Sequence, residues 1–152
     1  MIKVMFVCHG NICRSPMAEF VLKDMVKRIG AENEFYIESS ATSREEIGND
    51  MYPPAKKLLR RKGIPFSARA ARQFTKEDYS RFDYIFIMER YNLPNLKRII
   101  GDDIDDKVHF FTEYTNLQKD IADPWYTGDF ETTYEQVVSC SKAFLEHLEY
   151  IK

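Results

Sequence analysis

Val4-Met5-Phe6-Val7-Cys8-His9-Gly10-Asn11-Ile12-Cys13-Arg14-Ser15-Pro16 is the stretch on which the reading of the whole chain turns. An apolar run stops at Cys8, five loop residues follow, and Arg14 closes the loop. Ser15-Pro16 then predicts a helix start, with Ser15 as N-cap and Pro16 at a first helical position where no N–H is needed. Strand, short loop and helix N-terminus together form an anion cradle, because loop N–H groups converge there and the helix dipole adds positive charge. Gly10 permits a close backbone approach or a positive φ, and Asn11 tolerates left-handed geometry while its amide pins the loop. Arg14 can fork onto two oxygens of a phosphate. The field that holds phosphate also favours thiolate over thiol, so Cys8 is expected to be a nucleophile and the site one of covalent phosphate transfer.

Outward from that stretch the chain alternates between two periodicities. Lys3–Cys8 is apolar nearly throughout, as a central parallel strand buried on both faces should be. Pro16–Ile29 predicts a helix with Met17, Val21, Met25 and Ile29 on one stripe and Gly30 as its stop. Further strands are predicted at Phe35–Ser39, Asp83–Met88 and Lys107–Phe111, with a polar loop over 39–52. Helices are predicted from Pro53 to about Lys62, within Phe74–Phe82, over Leu93–Ile100 and, closing the chain, over Phe130–Ile151. The alternation implies an α/β fold, a three-layer sandwich with a parallel sheet and helices on both faces, and four strands with the ligand loop after the first suggest a flavodoxin-like order 2-1-3-4. In such a fold the site lies at the carboxyl ends of the strands, beside the point where strand order reverses.

With 152 residues and no linker, repeat or low-complexity stretch, residues 1–152 are expected to form one domain. No apolar stretch is long enough for a membrane span or a signal peptide, which suggests a cytoplasmic protein with reduced thiols. The odd count of 3 cysteines argues against a disulfide framework. Net charge of −2 conceals an asymmetry: residues 1–101 hold 18 Lys/Arg against 12 Asp/Glu, while 102–152 hold 4 against 12. The basic part contains the cradle and would attract anionic substrates, although two differently solvated faces would give the same numbers. No dense basic tract suggests nucleic acid.

Cys8–Arg14 matches the Cys-x5-Arg signature of protein tyrosine phosphatases. Cys-x-Gly-Asn-Ile-Cys-Arg-Ser-Pro near the N-terminus closely resembles the low-molecular-weight members of that group. Ala41-Thr42-Ser43 with Ile47-Gly48-Asn49, then Ala71-Arg72-Gln73 with Thr75–Asp78, then Asp83-Tyr84-Ile85 with Met88-Glu89, extend the resemblance over nearly the whole chain. Expelling an alkoxide or phenoxide needs an acid, and the second step needs a base for water. Asp123-Pro124-Trp125-Tyr126 resembles the family's Asp-Pro-Tyr-Tyr loop, which implies Asp123 as that acid and base, with Trp125 and Tyr126 as aromatic walls. The resemblance also gives the Ser15 hydroxyl a bond to the nucleophile sulfur. Cys13 reads either as a small buried hydrophobe or, by resemblance, as a resolving thiol that pairs with oxidised Cys8. His9 is read as exposed, with no role beyond its place in the loop, and Ile12 as facing the core or the slot.

Trp125 for the first Tyr of the Asp-Pro-Tyr-Tyr loop and Glu89 where the family usually has Asp are departures of small consequence; two others matter more. Glu45 stands where an aromatic slot wall is usual, so it is either a solvated loop residue or a cause of altered substrate preference. Arg69 stands where a His often bonds the cradle Asn, and it can donate the same bond. The implied mechanism has two steps: Cys8 takes the phosphoryl group while Asp123 protonates the departing oxygen, and water activated by Asp123 then cleaves the phosphocysteine. The expected partners are a phosphorylated protein or peptide, with inorganic phosphate and other oxyanions as inhibitors. No cofactor or metal is implied, since Arg14 and the loop amides supply the charge and no clustered His/Asp/Cys ligand set is present. A protein-arginine phosphatase, whose guanidinium Glu45 would accommodate, stands second. A thiol-coupled arsenate reductase and a non-enzymatic phosphopeptide-binding module follow.

Overall fold

A computed structural model describes all residues 1–152. Four parallel strands, β1 (Ile2–Cys8), β2 (Phe35–Ala41), β3 (Tyr84–Ile87) and β4 (Val108–Phe110), form one sheet in the order β2-β1-β3-β4. The α/β sandwich with strand order 2-1-3-4 is therefore as expected from the alternating elements and the loop after the first strand. Central β1 explains its own composition. Val4, Phe6 and Cys8 face the larger core under α1 (Arg14–Arg28) and α6 (Phe130–His147), while Met5 and Val7 face a smaller core with Phe74, Phe82 and Leu96. A strand covered on both faces has no polar side to show, hence the uninterrupted apolar run. Phe86 of β3 anchors the larger core, with ring centroids 5.2 Å from Phe111 and 4.9 Å from Phe144 of α6. No helix is long and apolar enough to cross a membrane.

The register carries Cys8 opposite Ala41 of β2, so the strand ends that bear chemistry are level. β2 runs two residues beyond the expected Ser39, because Ala41 exchanges backbone bonds with Arg72 and Phe74 instead of entering the loop. The remaining helices are α2 (Pro53–Arg61), α3 (Lys76–Arg81), α4 (Asn92–Ile100) and a single turn, α5 (Pro124–Thr127).

Three local expectations are corrected. First, α1 begins at Arg14 with Cys13 as N-cap, and no side chain caps it. Ser15 and Pro16 lie inside the first turn; Met17 N–H already bonds the Cys13 carbonyl, and proline is tolerated there because the first-turn N–H groups have no intrahelical partner. The Ser15 hydroxyl is thus free for the loop. Second, α6 stops at His147: Glu149 turns left-handed (φ 65°), and Tyr150 folds back to pack 5.0 Å from Phe35. The apolar residues after 147 continue the core without continuing the helix. Third, Asp123–Tyr126 is not plain loop, since Asp123 caps the α5 turn, Pro124 occupies its first position and Gly128 ends it at φ 72°.

Candidate active site

The cradle follows from where its backbone groups point. The carbonyls of Cys8, His9 and Ile12 are taken from behind by the N–H groups of Thr42, Ser43 and Tyr52, while the N–H groups of Gly10, Ile12, Cys13 and Arg14 take no partner within the chain. Carbonyls already bonded and loop N–H groups left free are what an anion cradle requires. Asn11 makes the turn. Its φ is 60°, it is fully buried, and its N–H donates to Cys8 Sγ at 3.3 Å. Its amide nitrogen donates to Ser15 Oγ (2.8 Å) and Ser39 Oγ (2.9 Å), and its Oδ1 accepts from Arg69 Nη2 and the Arg72 N–H. Arg69 thus bonds the cradle asparagine as the sequence suggests. Ser15 Oγ lies 3.0 Å from Cys8 Sγ, so the sulfur meets two groups that can donate to it.

Arg14 is 2% exposed and its guanidinium crosses to the far side of the site. Nη1 donates to the Ile121 carbonyl at 3.0 Å, and Nη2 donates to Glu89 Oε1 at 3.0 Å and Asp123 Oδ2 at 3.2 Å. Burial works against its charge, but neighbouring Cys8, Glu89 and Asp123 outweigh burial and push its pKa above the ordinary arginine value. Cys13 sits in the same wall with the opposite outcome. Burial first, then the nearby Cys8 and Asp123, push its thiol up to about 12. All 3 cysteines are free thiols.

These elements enclose a cleft of about 130 Å³, lined by residues 8–14, Glu45, Glu46, Asp123, Trp125 and Tyr126. The residues singled out from the sequence line it except Ser15, which touches the Cys8 sulfur, and Arg69, which reaches the site only through Asn11. A larger groove of about 540 Å³ between α1 and β2, beside Phe66, holds none of these groups. Asp123 Oδ1 accepts from Trp125 N–H at 3.0 Å, so the carboxylate is fixed by its own turn on one oxygen and by Arg14 on the other. Trp125 (52% exposed) and Tyr126 (85%) stand at the mouth. Glu45 is not isolated in solvent: it lines the cleft and its Oε2 lies 3.0 Å from His9 Nε2. No group of three or more His, Cys, Asp or Glu side chains is placed to hold a metal ion.

Sequence reasoning gave no role to Glu46, Glu89, Ser39 or the Ile121 carbonyl. Glu89 was within reach of it: an acid just past β3, the strand beside β1, sits where the switch-point rule places ligands and their supports. Glu46 and Ile121 carry no signal of their own, since their positions depend on how long loops close.

A thiol at the end of a central parallel strand, a Cys-x5-Arg loop cradling an empty-handed row of amides, and a distant carboxylate on the same guanidinium define the architecture of the small cysteine-dependent phosphatases. Comparison with known proteins narrows this. The family model "Low molecular weight phosphotyrosine protein phosphatase" matches residues 3–151. The chicken (Gallus gallus) protein of that name is 45% identical over 148 residues, covering 94% of this chain and 93% of the relative. The crystal structure of YfkJ from Bacillus subtilis superposes with a TM-score of 0.93 at 34% identity, over 98% of this chain and 95% of that one. A low molecular weight protein tyrosine phosphatase from Streptococcus pyogenes gives 0.87 at 40% identity, over 97% and 93%. The chain belongs to the low molecular weight phosphotyrosine protein phosphatase family.

Proposed function

We propose that the protein hydrolyses phosphotyrosine in protein substrates, with Cys8 as nucleophile and Asp123 as general acid and then general base. One observation carries the reading: a single guanidinium, Arg14, joins the loop that holds the Cys8 sulfur to a carboxylate 109 residues away. A phosphate entering the cleft takes the free N–H groups and the Arg14 fork, and Asp123 gives up its bond to Nη2. Released from the guanidinium, Asp123 serves as the acid of the first step. As the Cys8 sulfur forms the S–P bond, the P–O bond to the phenol breaks and the Asp123 proton passes to the leaving oxygen. Asp123, now ionised, removes a proton from the water that attacks phosphocysteine, and sulfur departs as thiolate against the Asn11 N–H and the Ser15 hydroxyl. Arg14 and the loop amides meet the charge that develops on the three equatorial oxygens.

Trp125 and Tyr126 suit an aromatic ester at the mouth, in keeping with the phosphotyrosine named for the relatives, and this places phosphoarginine and arsenate behind it. Cys13, in the cleft wall, is assigned the capture of an oxidised Cys8 as a disulfide. The test is hydrolysis of p-nitrophenyl phosphate: the unaltered protein is expected to turn it over and Cys8→Ser to be inert. Undiminished activity in Cys8→Ser would end the proposal.

A further inference from the structure

Tyr52 lies outside the cleft yet touches both of its halves. It precedes Pro53-Pro54 at the start of α2, and its side chain does not cap that helix. Its backbone N–H donates to the Ile12 carbonyl at 2.9 Å, tying it to the cradle loop. Its ring packs against Trp125 (centroids 4.8 Å apart, planes at 54°) and stacks on Phe130 at 6.0 Å. Trp125 in turn gives its N–H to Asp123 Oδ1. A chain of three contacts therefore runs from the phosphate cradle through Tyr52 and Trp125 to the carboxylate.

The other supports of Asp123 act elsewhere. α6 holds the preceding residue, Ala122, through Gln136 Oε1 at its N–H and Thr133 Oγ1 at its carbonyl. The direct link from Asp123 to the cradle is Arg14 Nη2, and on the mechanism above that link is surrendered when phosphate arrives. At that moment the 123–126 turn has to keep its distance from the sulfur by some other contact. Arg14 Nη1 still reaches the Ile121 carbonyl, ahead of the turn, but within the turn itself the Tyr52–Trp125 stack is the contact tied to the cradle by a residue other than Arg14.

We propose that Tyr52 is a positioning residue for the acid step: stacked on Trp125 and fixed to the cradle through Ile12, it holds Asp123 within reach of the leaving oxygen once Arg14 has moved onto phosphate. The inference rests on the phosphatase reading. The step it serves is the first one, in which the S–P bond forms, the P–O bond to the leaving group breaks, and the carboxyl proton goes to the departing oxygen. Tyr52 touches no reacting atom. Removing its ring should cost most where the leaving group most needs that proton.

The test compares kcat/KM, which reports formation of phosphocysteine, across aryl phosphates from p-nitrophenyl to unsubstituted phenyl. Tyr52→Ala is expected to leave p-nitrophenyl phosphate within about 3-fold and to slow phenyl phosphate by about tenfold, the scale of one lost aromatic stack. The dependence on leaving-group basicity then steepens toward that of Asp123→Ala. Tyr52→Phe keeps the ring and is expected to keep the unaltered slope, while adding Tyr52→Ala to Asp123→Ala steepens it no further. Tyr52→Leu, which retains apolar volume, is expected to behave like Tyr52→Ala and serves if the alanine protein fails to fold. An equal loss for every leaving group, an unchanged slope, or a change in KM alone would overturn the proposal. Failure of the phosphatase reading looks different, since the unaltered protein would then hydrolyse none of the series.

Discussion

The two halves of the site are made of different material. Residues 8–15 form a cradle whose Cys8, Asn11, Arg14 and Ser15 are all at most 3% exposed, cross-bonded to β2 and to the 69–72 segment. The segment proposed to carry the acid is Asp123 capping the single helical turn α5, with Trp125 and Tyr126 exposed. On the proposed mechanism the cradle presents the same donors before, during and after the reaction, which fits its place where packing leaves one arrangement. On the proposed mechanism the 123–126 turn has to let a phosphoester in and an alcohol out, which fits its being held by few contacts. Preorganisation is concentrated where charge develops, and freedom where ligands pass.

That contrast can be broken experimentally, beginning where the effect should be largest. Asp123→Ala is expected to slow p-nitrophenyl phosphate hydrolysis by about 10²–10⁴-fold with the fold intact by circular dichroism. A loss that tracked unfolding would mean that the turn is structural. In the cradle, Asn11→Ala places a Cβ-bearing residue without an amide at φ 60°, which costs about 1–2 kcal/mol before the lost hydrogen bonds are counted. Asn11→Gly removes the amide and keeps the conformation. Urea unfolding is expected to rank Asn11→Ala below Asn11→Gly below the unaltered protein, and reversal of the two variants would show that backbone strain is not what Asn11 answers.

A milder probe tests the sulfurs. Burial pushes the thiols of Cys13 and Cys140 up to about 12, so at neutral pH both are protonated. Iodoacetamide at pH 7 is therefore expected to label Cys8 alone by peptide mass mapping, and prompt labelling of Cys13 would contradict the walls drawn here. Beneath the cradle, Asp78 loses by burial but gains more from Arg72, which holds its carboxyl below the ordinary range while the Arg72 N–H supports Asn11. A depressed native value means stability present above the usual carboxylate pKa and lost as pH falls through the lower native one. Asp78→Asn is expected to lower Tm at pH 7 and narrow its gap from the unaltered protein at strongly acidic pH. The smallest effect is expected at the exposed rim, where Glu45→Gln should change kcat/KM for p-nitrophenyl phosphate by less than about 3-fold.

How much of this the sequence discloses depends on whether a feature is local. The buried central strand follows from periodicity, because a strand covered on both faces must be apolar throughout, and the sheet order from the place of the ligand loop after the first of four strands. The cradle is legible because the nucleophile, the turn residues and the arginine lie within seven consecutive positions. Asp123 was legible only beside a resemblance, since nothing in an Asp-Pro pair says which cleft it faces. Ser15 misled as a helix cap: the local rule favours serine there, but the hydroxyl has partners in Cys8 and Asn11 that the rule does not see. Glu89, Glu46 and the role of Tyr52 depend on contacts between segments far apart in the chain, and no local pattern encodes them.

The central claim is that one sulfur carries the phosphoryl group between its two transfers. Rapid acid quenching of Asp123→Ala during turnover of p-nitrophenyl phosphate, followed by peptide mass spectrometry, tests this most directly. The account predicts one added phosphoryl group on the peptide containing Cys8 and none on the same peptide of the Cys8→Ser protein. Phosphate on His9, or turnover with no phosphorylated peptide at any quench time, would contradict it.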